Sequence, residues 1–67
     1  MVRRHLQAAE RHVASGKRVI ARQKKLIARL KRDGHDTTEA KALLAEFERA
    51  QEMHVGDRDR LLKERNR

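Results

Sequence analysis

The feature that most constrains this chain is a heptad seam in its first half. Apolar, small or uncharged side chains recur at alternating spacings of four and three: Val2, Leu6, Ala9, Val13, Gly16, Ile20, Gln23, Ile27 and Leu30. An α-helix, with about 3.6 residues per turn, gathers such positions onto one stripe. With Leu6 at heptad position a, Val13, Ile20 and Ile27 share that column. Val2, Ala9, Gly16, Gln23 and Leu30 fill d, and Val19 and Leu26 widen the seam at g. Composition alone is ambiguous. A charged fraction of 42% and a net charge of +8 suit disorder. The absence of proline and the abundance of Ala, Leu, Arg, Lys and Glu suit helix. Disordered segments keep no such period, so residues 2–33 are expected to form one helix.

The end of that helix is marked. Lys31 and Arg32 place cations where the helix dipole is negative. Gly34 can take the left-handed position that closes a helix. Asp36 is then a candidate N-cap, and Glu39 three residues later would complete a capping box. A stop and a start this close make the two helices antiparallel neighbours. The second helix, expected over about 37–65, carries Ala40, Leu43, Leu44, Phe47, Ala50, Gln51, His54, Val55, Leu61 and Leu62. Its period weakens after His54, where Arg58 falls on the seam. Folding at residues 34–36 suggests that Leu30 faces Leu44, Ile27 faces Phe47, Gln23 faces Gln51, Ile20 faces His54 and Val13 faces Leu61. In that register Gln23, Gln51 and His54 form a polar layer, a device that can set register or oligomeric state at some cost in stability. The bland reading puts all three at a solvated edge.

Gly16 and Gly56 each cost about 1 kcal/mol relative to alanine inside a helix. Both helices are expected to continue through them. The alternative is a break at Ser15-Gly16 and at Gly56-Asp57, with a looser open end.

The fold class is therefore all-α, a single helical-hairpin domain spanning 1–67. A chain of this length has a marginal core. Small scaffolds commonly recruit disulfides, metals or oligomerisation, and here there is no cysteine to form a disulfide. Ala8, Ala14, Ser15, Ala21 and Ala28 offer a small-residue stripe for a further helix, although helix propensity explains alanines equally well. The hairpin is expected to self-associate, most simply as a homodimeric four-helix bundle, or to dock on a partner protein. Nothing approaches the 18 or more apolar residues of a membrane span. The basic Met1-Val2-Arg3-Arg4 start has no apolar run after it, so no signal peptide is expected and a cytoplasmic location is the default.

Charge is unevenly divided. Residues 1–33 hold eleven lysines and arginines against two acids, a net +9, and residues 34–67 hold seven against eight, a net −1. Every f position of the first helix is basic: Arg4, Arg11, Arg18, Lys25 and Arg32. Lys17, Lys24 and Lys31 at e, with Arg22 and Arg29 at c, flank this column. The result is a cationic ridge about 40 Å long. It suits phosphates of RNA or DNA, whose neutralisation releases counterions. Against that reading, no aromatic stacking platform and no known nucleic-acid-binding motif is present. The ridge is otherwise a solvated face partly balanced by Glu46, Glu48 and Glu52. Membrane-surface binding is disfavoured, because the apolar stripe is used by the seam and lacks tryptophan.

No arrangement of residues points to catalysis, a cofactor, a metal or a small-molecule substrate. His5 and His12 are seven residues apart, whereas metal ligands on one helix use spacings of three or four. His35 beside Asp36 reads as turn chemistry. Ser15 is the only serine and no base is placed against it.

Several strings carry a resemblance: Ala9-Glu10-Arg11-His12, Ile20-Ala21-Arg22-Gln23, Asp33-Gly34-His35-Asp36-Thr37, and later Leu43-Leu44, Phe47-Glu48, Gln51, His54 and Asp57-Arg58-Asp59-Arg60-Leu61. Over nearly the whole chain they resemble a group of short helical-hairpin proteins of unknown function common in alphaproteobacteria. The resemblance implies a hairpin unit and a bacterial cytoplasmic setting, and it brings no activity with it. The sequence thus predicts a non-enzymatic interaction module. The alternative is a small basic protein that binds RNA or DNA through its first helix.

Overall fold

The turn organises everything else. In the computed structural model, which describes residues 2–66 and the side chains of residues 4–66, helix α1 runs Val2–Arg32 and helix α2 runs Thr38–Arg65. Val2, assigned to the seam by its spacing, has its side chain outside the described part. Gly34 adopts φ +77°, the left-handed region that a side chain disfavours by about 1–2 kcal/mol. Around it His35 N–H donates to the Leu30 carbonyl at 2.8 Å and Gly34 N–H to the Lys31 carbonyl at 3.2 Å. These two bonds define a Schellman closure, which satisfies carbonyls that the helix end would leave unpaired.

The start of α2 differs in detail from the expected capping box. Thr37, not Asp36, occupies the N-cap, and its own side chain makes no capping bond. The Thr37 carbonyl accepts from Lys41 N–H at 2.9 Å, so the first turn of the helix begins there. Asp36 acts one residue earlier. Its Oδ1 accepts from the Thr38 N–H at 2.9 Å and from the Thr38 hydroxyl at 2.7 Å. Those bonds, the hydroxyl's first, hold the Asp36 carboxyl below its ordinary pKa. Glu39 lies in the first turn, where its charge suits the positive end of the dipole.

Both helices continue unbroken through Gly16 and Gly56. They form an antiparallel hairpin with extents of 52 × 14 × 14 Å. The core is thin. Among the described side chains Leu6, Ala9 and Val13 are its buried apolar residues and Gln23 is its buried polar one, while α2 contributes no buried residue.

The register differs from the expected one by a heptad. Gln51 lies against Gly16, where any Cβ would overlap its carboxamide. Its Nε2 reaches the Val13 carbonyl at 2.9 Å, and His54 stacks on His12. The expected pairs of Gln23 with Gln51, Ile20 with His54, Val13 with Leu61, Ile27 with Phe47 and Leu30 with Leu44 are therefore not the facing pairs. A slip of seven residues returns every seam position to the seam, so periodicity cannot distinguish the two alignments. The tight turn and the Gly16 notch decide between them.

Candidate functional site

Three features of the hairpin bear on function: polar clasps within the seam, a cationic ridge and an exposed apolar face. The clasps come first because they position the other two. Gln23 projects from α1, is 92% removed from solvent, and donates through Nε2 to the Ala40 carbonyl of α2 at 2.9 Å. Gln51 projects from α2 and donates to the Val13 carbonyl of α1. Each amide thus crosses to the backbone of the opposite helix. Gln51 Oε1 is buried without a partner, a local cost that the carboxamide carries for lying in the notch. His54 is half-buried, with its ring 5.1 Å from that of His12 and inclined to it by 14°. Gln23, Gln51 and His54 do not share one layer. Gln51 and His54 are one turn apart and line one groove with His12 and Gly16, whereas Gln23 bonds to Ala40 nearer the turn. The His12–His54 pair was not legible in the sequence, because it depends on the register.

The cationic residues are displayed as their columns suggest. Arg4, Arg11, Arg18, Arg22, Lys25, Arg29 and Arg32 are all exposed. Among the described residues the ion pairs are Arg58 with Asp59 at 3.2 Å and Arg60 with Asp57 at 3.3 Å, both inside α2. No direct pair joins Glu46, Glu48 or Glu52 to the ridge. The small residues split between two flanks of α1: Ala14, Ala21 and Ala28 share one column, Ala8 and Ser15 another. All but the half-buried Ala8 are exposed.

The third feature lies on one flank of the hairpin. A shallow groove there is lined by His12, Ser15, Val19, Phe47, Ala50 and His54. One heptad toward the turn, Leu26 continues the Val19 column and Leu43 continues the Ala50 column. Val19, Leu26 and Leu43 are 37%, 42% and 41% exposed, and Met53, beside Ala50 on the same flank, is 71% exposed. These four are the exposed large hydrophobic residues of the described chain. The opposite flank exposes Lys17, Lys24 and Lys31 on α1 and Lys41 and Glu48 on α2, and it also carries half-buried Val55 and Leu62 and a shallow hollow at Ile20 and Val55.

This arrangement defines an all-α helical hairpin with one apolar flank and one cationic ridge. Comparison with protein-family models, with curated proteins and with solved structures finds no match to the chain. Among the described residues no helix is long and apolar enough to cross a membrane. No group of three or more histidine or acidic side chains there is placed to share a metal ion.

Proposed function

We propose that this chain is a non-enzymatic interaction module that completes its core by self-association. The observation that carries this reading is the openness of α2, which has no buried residue although it supplies Leu43, Leu44, Phe47, Val55, Leu61 and Leu62. The accessible surface is 5754 Å². A compact monomer of 7.9 kDa would expose about 4400 Å². The excess, about 1350 Å² for one chain, is larger than the roughly 800 Å² that each partner loses in an interface of standard size. Sedimentation equilibrium across the micromolar range tests the proposal. The expected result is a concentration-dependent dimer, and a well-folded species that stays monomeric at about 100 µM overturns it.

A second reading rests on a different observation, the seven exposed ridge cations without an ion-pair partner among the described residues. It makes the hairpin a small basic protein that holds RNA or DNA phosphates along α1. Fluorescence anisotropy with labelled RNA and DNA at about 50 mM salt, where counterion release favours binding most, should show saturable binding. Absence of binding there removes this reading. The two readings use different surfaces and can hold together.

A further inference from the structure

We infer that the partner on the apolar flank is a second copy of this chain, related by a twofold axis parallel to the long axis of the hairpin. The inference rests on the self-association reading and specifies its geometry. The flank is bordered by two charge columns of opposite sign. On the α1 edge Arg22 and Arg29 stand outside Val19 and Leu26; Arg22 and Arg29 share a surface hollow with Leu26. On the α2 edge Glu39 and Glu46 stand outside Leu43, in the heptad column that continues through Met53 to Arg60. All four charged residues are exposed.

The observed register puts these columns at matching heights. Gly16 faces Gln51, so counting toward the turn brings Arg22 level with Leu44 to Glu46 and Arg29 level with Thr38 to Glu39. Two copies can bring this flank together about two kinds of twofold axis. An axis perpendicular to the helices lays α1 on α1 and α2 on α2 with heights reversed, so no arginine of the α1 edge can meet a glutamate of the α2 edge. An axis parallel to the helices lays each α1 on the other copy's α2 without changing height. Arg22 then meets Glu46 and Arg29 meets Glu39 of the second copy, twice by symmetry. The exposed Met53 comes over the small Ser15. Only in the second arrangement do Arg22 and Arg29 meet Glu46 and Glu39. The first forgoes all four of these opposite-charge contacts and sets arginine against arginine where Arg22 and Arg29 overlap. The opposite flank, with exposed Lys17, Lys24, Lys31 and Lys41 against Glu10 and Glu48, offers no such match. The apolar residues provide the association and the charge columns select the orientation, since exposed ion pairs contribute little affinity by themselves.

Charge exchange tests the arrangement. The double variant Arg22→Glu/Arg29→Glu and the double variant Glu39→Arg/Glu46→Arg should each weaken the homodimer at least about tenfold. An equimolar mixture of the two should restore a dimer, because each new glutamate column then meets a new arginine column. Circular dichroism on each variant establishes that the hairpin is folded. If a double variant fails to fold, the fully exchanged quadruple variant replaces it and must dimerise like the natural chain. A natural chain that dimerises while the double variants dimerise equally well overturns this geometry and leaves self-association standing. Weakened variants that do not recover on mixing overturn it also. A natural chain that stays monomeric overturns both readings.

Discussion

Gly34 and Gly16 are both glycines for steric reasons, and the reasons differ. At Gly34 the backbone itself is left-handed, and nothing lies within 4 Å of where a Cβ would stand. Gly34→Ala should therefore cost about 1 kcal/mol through backbone strain alone, read by urea denaturation, with Gly34→Asn milder. At Gly16 the helix is regular and the space is taken by the Gln51 carboxamide. An added methyl group displaces that flexible side chain and loses its bond to Val13, worth about 1 kcal/mol, while helix propensity returns about as much. Gly16→Ala should thus be near neutral in the natural chain. In a Gln51→Ala background it should stabilise by about 1 kcal/mol. A double-mutant cycle without coupling would show that the notch is not occupied. Asp36 gives the residue scale its pH dependence. Its folded pKa lies below that of an ordinary aspartate, so its contribution is present in full above the unfolded value. It is lost as pH falls through the lower folded pKa. Thermal melts should show an acid-side loss of stability that Asp36→Asn reduces.

At the scale of the element, α1 and α2 are unequal partners. α1 carries the regular seam and, among the described side chains, all the buried residues. On α2 the seam includes Gln51, His54 and Arg58, each half-buried. Arg58 lies one heptad beyond Gln51, opposite the small Ala9, and its guanidinium turns to Asp59. This explains why the helical period weakens after His54: a long side chain can lay its stem along the seam and keep its charge in water. Gly56, by contrast, faces open space in a continuous helix. Gly56→Ala should stabilise the hairpin by about 1 kcal/mol, seen as a higher denaturation midpoint without a changed slope. The existence of both helices, their ends and the cationic column were legible in the sequence because each depends on local spacing and local capping. The pairing of α2 against α1 was not, because a heptad slip preserves the seam, and the turn geometry and the side-chain volume at Gly16 distinguish the alternatives.

At the scale of the whole molecule, a thin rod with one apolar flank and one cationic ridge should respond to concentration and salt separately. If the flank is an interface, the melting temperature rises with protein concentration, since association stabilises the folded chain by mass action. If phosphates occupy the ridge, the logarithm of the association constant falls with that of salt concentration, with a slope approaching about −6 when seven cations engage a duplex. Each Arg→Ala change among Arg4, Arg11, Arg18, Arg22, Arg29 and Arg32 should then reduce the slope by about 1. By itself the amino-acid sequence determined two amphipathic helices, an abrupt turn, and a first helix far more basic than the second. Those follow from periodicity, capping chemistry and charge count, which act within a few residues. Only the tertiary structure decided that Gln51 fills the Gly16 notch, that His12 meets His54, and that Val19, Leu26, Leu43 and Met53 share one open flank. Each of these depends on how far one helix slides along the other, and that is set by the turn and by volumes meeting across the hairpin.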